Sequence, residues 1–243
     1  MSRRKHDAEP VVRVRRIGTA VFPPHNSLGV TIAVAPVMDF EQMNRSLFES
    51  LNAPGDLSGW PLGLAIAACQ YAIVGLVILL VLAWLKGRPG DRAHLIYVAL
   101  CAVLALGLNY SLGLVYPHPR PFMVGLGHTY LTHAADSSFP SDHATIMWTF
   151  VFGLLLSPAL RKAAWVAALL AGLTSWARIF LGLHFPFDIL GSIAVALVAL
   201  AALTPLKSWI DRVLAPRCEQ LHRATLGRVI RPPDVDHADP ARR

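Results

Sequence analysis

The chain is short of charge and of cysteine, and each shortage removes a class of protein. Charged residues make up 15% of the sequence against 54% hydrophobic residues, a balance too oily for an ordinary soluble domain. The three cysteines, Cys69, Cys101 and Cys218, form no CxxC pair, so neither a disulfide framework nor a cysteine metal site is expected. No HExxH pair is present, and the helical zinc-hydrolase pattern is therefore missing. The basic residues do not interleave with aromatics. The formal net charge of +7 then fits an anionic membrane face rather than nucleic acid. There is no internal repeat and no cleavable signal peptide of the usual form.

What the chain does have is apolar length. A helix needs roughly 20 mostly apolar residues to cross the hydrocarbon core, and five stretches qualify: residues 60–85, 93–117, 143–160, 163–181 and 185–206. These fill most of the sequence and leave no room for a separate soluble domain. The expected fold is an all-α integral membrane bundle of about five transmembrane helices, occupying residues 60–206 as one domain.

The basic residues orient it. Lys86, Arg88 and Arg92 follow the first stretch, Arg161 and Lys162 join the third to the fourth, and Lys207, Arg212 and Arg217 follow the fifth. Short cytoplasmic loops are enriched in Lys and Arg, so these three sites share the inner side, with residues 207–243 as a basic cytoplasmic tail. The loop at 117–142, whose one basic residue is Arg120, and the tight turn around His184 then face outside.

The ends read differently. Residues 1–37 carry six Arg and Lys yet would lie outside on this count, against the positive-inside tendency. Their apolar run, residues 28–38, is too short to span. Two readings stay open: a re-entrant or partial sixth span, or a natural start at Met38 or Met43. Within residues 38–59, Phe40, Met43, Leu47, Phe48 and Leu51 fall at helical spacing and Asn52-Ala53-Pro54-Gly55 ends the pattern, which predicts a short interfacial amphipathic helix. Residues 231–243 are rich in Pro, Asp and Arg and are expected to be disordered.

Chemistry concentrates at the outward edges. Pro119-Arg120-Pro121 closes the second stretch, Pro140-Ser141-Asp142-His143 opens the third, and the run from Arg178 to Asp188 bridges the fourth and fifth. Ionisable groups at membrane depth are costly, tend to face a cavity and tend to be functional. Ser141 stands where it can cap a helix whose first N–H groups would favour a phosphate. His184 and Asp188 are four residues apart with Pro186 between them, suited to a helix start that puts both on one face. A carboxylate bound to one imidazole nitrogen leaves the other free to attack. Arg178 lies one turn before Gly182 and offers a guanidinium fork for phosphate oxygens. Gly182, lacking a side chain, would let chain and substrate approach.

Together these residues resemble the three signatures of the type-2 phosphatidic acid phosphatase superfamily of membrane phosphatases. His118-Pro119-Arg120-Pro121-Phe122 with Phe139-Pro140-Ser141-Asp142-His143-Ala144-Thr145 is similar to the bacterial undecaprenyl-diphosphatases of the bacitracin-resistance type. The resemblance runs from about Phe40 to Leu206. It implies that Arg120, Arg178 and Ser141 bind phosphate, that His184 is a nucleophile oriented by Asp188, and that His143 protonates the leaving oxygen and later activates water. It implies no metal and no cofactor, the arginines and a helix N-terminus supplying the positive charge. It further implies a polyprenyl diphosphate substrate met at the outer face of a bacterial inner membrane.

Two positions depart from the pattern. The superfamily has a Lys seven residues before the first-signature Arg, where this chain has Gly113, and a Ser where it has Ala177. His118, His128 and His133 read as interfacial side chains, and Asp136 as a solvated loop residue. Three rival readings compete. They are a broader phosphatase for phosphatidic acid or phosphatidylglycerol phosphate, a metal hydrolase built on His143, His184 and Asp188, and a non-catalytic transporter of anionic lipids.

Overall fold

A computed structural model describes residues 39–225. Residues 1–37, and the Pro/Asp/Arg-rich end at 231–243, lie outside the described residues. Every regular element among those described is helical: α1 (Phe40–Leu51), α2 (Gly59–Lys86), α3 (Pro89–Val115), α4 (Asp142–Leu155), α5 (Arg161–Phe180) and α6 (Pro186–Leu203). A short 3-10 turn, Thr204–Leu206, then leads into α7 (Lys207–Trp209), a π turn at Ile210–Leu214 and α8 (Ala215–Thr225).

Four helical stretches are long and apolar enough to cross a membrane: Gly59–Lys86, Pro89–Val115, Pro158–Phe180 and Pro186–Thr225. The expected stretch at 143–160 is the exception. Its α-helix, α4, has 14 residues, about 21 Å at 1.5 Å per residue. The cause is local: the chain leaves α-helical geometry at Ser157 and resumes as a 3-10 turn at Pro158–Leu160, because proline cannot donate to the preceding turn.

The short helix is central rather than peripheral. It packs against α3, α5 and α6, while α5 also packs along α2. Small residues let these backbones approach. Ala164, Ala167 and Ala171 of α5 are fully buried, against Leu76 of α2 and Met147, Val151 and Leu154 of α4, and in lipid such close packing takes over from the hydrophobic effect as the drive for helix association. Leu64, Val77, Ile78 and Val81 of α2 and Val103 and Leu114 of α3 are exposed. That apolar surface would be a liability in water and is the lipid face in a bilayer.

Helix α1 forms where its spacing predicts, ending at Leu51. Phe48 is buried against Phe185, their ring centroids 5.3 Å apart. Asn44 accepts the N–H of Phe187 at 3.0 Å, so α1 helps to cap α6. The basic tail begins as helix: α8 returns to the bundle through a bond from Trp84 Nε1 to His222 at 3.1 Å and an Arg92–Glu219 pair at 3.4 Å.

Candidate active site

The loop between α3 and α4 and the turn between α5 and α6 meet at one end of the bundle. Gly182 fixes the turn. Its φ of 79° lies in the left-handed region, and a Cβ there would run into the carbonyl of His128. What approaches Gly182 is thus the chain itself, through the α3–α4 loop, and Gly182 is not among the residues lining the cavity described next. Asn52 pins the same junction, bonding the carbonyls of His128 at 2.9 Å and Phe180 at 3.0 Å.

His184 sits in this turn, 1% exposed. Its Nε2 faces Nη1 of Arg120 at 3.0 Å and Nη2 of Arg178 at 3.1 Å. A guanidinium only donates, so these partners assign the lone pair to Nε2 and the proton to Nδ1. That proton points to the Ser138 carbonyl at 2.9 Å, with Asp188 Oδ2 farther away at 3.4 Å. Burial, with the two guanidiniums and against the pull of Asp188, pushes the imidazole down to about 3 from its ordinary 6.5. The result is a neutral imidazole whose free lone pair stands between two cations.

The arginines are held differently. Arg120 donates through Nε to Asp136 at 2.8 Å, and to the carbonyls of Leu183 at 3.1 Å and Ser137 at 3.2 Å. Asp136 is therefore an ion-pair partner as well as the exposed loop residue expected. Burial alone would raise its carboxyl, but the bond and charge of Arg120 hold it below its ordinary value. Arg178 is 4% exposed, and among the described residues it forms no ion pair with a carboxylate. Its other contacts are Cys69 Sγ at 4.0 Å and His133 Nε2 at 3.5 Å.

A cavity of about 540 Å³ opens onto His184, Arg120 and Arg178, and His143 and His133 also line it. Asp142 borders it too. Asn109 of α3, 3% exposed, donates to Asp142 Oδ1 at 2.9 Å and so occupies part of that carboxylate. Gly113 lies on the wall with Ser137 3.5 Å from where a Cβ would stand. The position of the absent Lys is thus a cavity position. Among the described residues no group of three or more His, Cys, Asp or Glu is arranged to hold a metal ion.

Ser141 needs correction. It holds the N-cap position of α4, but its side chain makes no cap bond and its hydroxyl, fully buried, has no partner. Its N–H goes to Ser192 Oγ of α6 at 2.9 Å, and it does not line the cavity.

Comparison with known proteins decides what bundle and cavity belong to. The family model described as PAP2 superfamily matches residues 94–212. The chain is 35% identical over 158 residues to the putative undecaprenyl-diphosphatase YbjG of Escherichia coli (strain K12), covering 65% of this chain and 79% of that protein. The chain belongs to the PAP2 superfamily. It is also 35% identical over 156 residues to undecaprenyl-diphosphatase BcrC of Bacillus subtilis (strain 168), covering 64% of this chain and 80% of the relative. A third relative, the bacitracin transport permease protein BcrC of Bacillus licheniformis, is 29% identical over 153 residues, covering 63% and 74%. PAP2 membership with apolar spanning helices makes this a multi-pass membrane phosphatase.

In this PAP2 chain the structure gathers His184, Arg120, Arg178 and His143 around one cavity, sets Asp188 behind His184, and leaves Ser141 outside. It adds His133, expected to be merely interfacial, to the cavity wall. Burial and the two arginines push His133 below its ordinary value, against its bond to the Ala134 carbonyl. Sequence reasoning missed Asn109 and Ser138. An Asn within the apolar second stretch was a usable signal for the first, whereas Ser138 meets the His184 ring most closely through its backbone carbonyl, which no side-chain letter reveals, and its hydroxyl donates to Asp188.

Proposed function

We propose that this membrane phosphatase hydrolyses undecaprenyl diphosphate to undecaprenyl phosphate through a phosphohistidine on His184. The observation that carries the reading is the buried, neutral Nε2 flanked by two guanidinium groups at 3.0 and 3.1 Å. A phosphate entering there meets a nucleophile and two forks at once. The Nε2 lone pair attacks the terminal phosphorus, and the bond to the bridging oxygen breaks. Lipid monophosphate leaves, its oxygen taking a proton from His143. Water then attacks the phosphoenzyme as His143 takes its proton, the P–N bond breaks, and inorganic phosphate departs with His184 restored. Throughout, Nδ1–H stays on the Ser138 carbonyl, with Asp188 as the anion nearest the ring.

Two guanidiniums, and a helix α4 whose start no side chain caps, offer the positive charge that phosphoryl transfer requires, so the mechanism is written without a metal. Both curated relatives named undecaprenyl-diphosphatase support the diphosphate. A site at the outer face of a bacterial inner membrane would meet the carrier lipid as cell-wall polymerisation releases it. Chemistry agrees, because a phosphate monoester is a better leaving group than an alkoxide and needs less help from His143. The relative named a transport permease favours a second reading, binding and moving an anionic lipid without turnover.

One panel separates the readings. Purified protein in detergent is offered polyprenyl diphosphate, polyprenyl monophosphate, phosphatidic acid and phosphatidylglycerol phosphate, and phosphate release is measured. The proposal expects the highest kcat/KM for the diphosphate, and an acid-labile, base-stable label on the protein that His184→Ala abolishes. Equal turnover of phosphatidic acid would move the assignment to a general lipid phosphatase. Binding without release would favour the transporter.

A further inference from the structure

Behind the catalytic cavity lies a second one, of about 360 Å³, bounded by Asp39 and Glu41 at the start of α1, by His118 and by Asp188. Asp188 lines this second cavity and faces His184, which lines the first. Its Oδ2 is fully engaged: it accepts the Phe185 N–H at 2.8 Å and the Ser138 hydroxyl, and it faces His184 Nδ1. Its Oδ1 is buried and, among the described residues, has no hydrogen-bond partner. An orphaned carboxylate oxygen in a residue 1% exposed is costly and calls for an explanation.

The group facing that oxygen is His118. Its Nδ1, also buried without a hydrogen-bond partner, stands 3.7 Å from Asp188 Oδ1, and its Nε2 stands 3.5 Å from Glu41 Oε2. Its ring is fixed by stacking on Tyr116 at 6.0 Å and by an edge contact with Phe185 at 5.4 Å, while the backbone N–H of His118 donates to Ser137 Oγ at 3.2 Å. We propose that His118 is a positioning residue for the phosphatase: it acts through Asp188, holding that carboxylate turned toward His184, and Glu41 holds His118 in turn. Four groups then form one line from the nucleophile to the first helix, His184–Asp188–His118–Glu41. The inference rests on the reading of His184 as nucleophile.

Its consequence is kinetic. Phosphorylation of Nε2 places positive charge on the ring, and a carboxylate oriented beside Nδ1 stabilises that charge. Carboxylates face both ring nitrogens of His118, Asp188 at Nδ1 and Glu41 at Nε2. The charged and titratable groups around it are Asp39 and Glu41 from the α1 side, with Arg45 bonded to Glu41 at 2.7 Å, Asp188 from α6, and Tyr116 from its own segment.

Two substitutions of the full chain separate this role from packing. His118→Phe keeps the ring and its stacking but removes both nitrogens. His118→Asn places a donor near the Nδ1 position and gives up the ring. Phosphate release and phosphoenzyme formation are followed across pH, with thermal melting alongside. The expectation is that His118→Phe lowers kcat about tenfold or more at little change in KM and flattens the pH profile, whereas His118→Asn recovers most of the rate. Wild-type kcat and pH profile in His118→Phe would overturn the assignment, as would equal losses in both variants that track lowered melting temperature. A wild-type protein that releases no phosphate overturns the phosphatase reading itself, and the proposal with it. An active wild type beside an unaffected His118→Phe overturns the role of His118 alone.

Discussion

Arg178 offers a test in which stability and activity should part. Arg120 commits three bonds, to Asp136 and Ser137 of its own loop and to Leu183 of the α5–α6 turn, at 2.8 to 3.2 Å. Among the described residues Arg178 commits none to the backbone; its nearest groups are a thiol and two imidazoles, and its Nε has no partner. A nearly buried cation without a carboxylate beside it destabilises the resting fold and is explained by a ligand anion. Arg178→Met keeps the stem and removes the charge. Loss of one preorganised donor to a developing anion typically costs about 10²–10³ in kcat, or roughly 2.7–4 kcal/mol. Phosphate release by Arg178→Met should therefore fall about 10²–10³-fold while the melting temperature holds or rises. Arg120→Met should lose both activity and melting temperature. The assay is release of phosphate from polyprenyl diphosphate in detergent, with melting followed by fluorescence. A fall in melting temperature for Arg178→Met with activity retained would refute the reasoning, because Arg178 would then be a structural cation.

Four further outcomes are expected. With His184 depressed to about 3, its neutral nucleophilic form persists as pH falls from 7, so first-turnover labelling should show no loss centred at the ordinary 6.5; such a loss would contradict the burial argument. The same shift predicts that stability falls as pH drops from 6.5 toward 3, since there the unfolded His takes a proton that the folded one refuses, and melting against pH in a His184→Asn control isolates that contribution. Phosphate release should survive chelator at full rate, and loss restored by Mg²⁺ would show that the two arginines do not supply enough positive charge. A chain starting at Met38 should insert and retain turnover, because the described site draws on residues from Asp39 onward; a well-expressed but inactive truncation would place residues 1–37 in the working fold.

Much of the fold was legible because a membrane imposes one rule with a clear signature. Apolar length marks a spanning helix, and α2, α3, α5 and α6 follow the expected stretches to within a few residues at their shared ends. Length failed for the third stretch, where hydropathy runs on across Ser157-Pro158 but backbone geometry does not. Hydropathy reports the solvent a residue prefers, while helix ends are set by dihedral angles and missing donors. The docking of α1 onto the start of α6 was hidden as well. Its spacing announces an apolar face, yet the Asn44 bond to Phe187 joins positions 143 residues apart.

The site shows the same division at finer scale. His184 and Asp188 could be paired from sequence because four residues at a helix start fix their distance. Arg120, Arg178 and His143 could be gathered only by assuming that the loops at one face meet. What the sequence could not show is the second, closer partner of Nδ1. The carboxylate was the visible acceptor, whereas the Ser138 carbonyl stands 0.5 Å closer, at 2.9 against 3.4 Å. Asp188 has a second task there, since Oδ2 accepts the Phe185 N–H that opens α6. One carboxylate therefore fixes the start of a helix, faces the nucleophile and closes the second cavity. A side chain so engaged cannot turn freely between partners, and that constraint makes the atom facing Oδ1 consequential for the atom facing Oδ2.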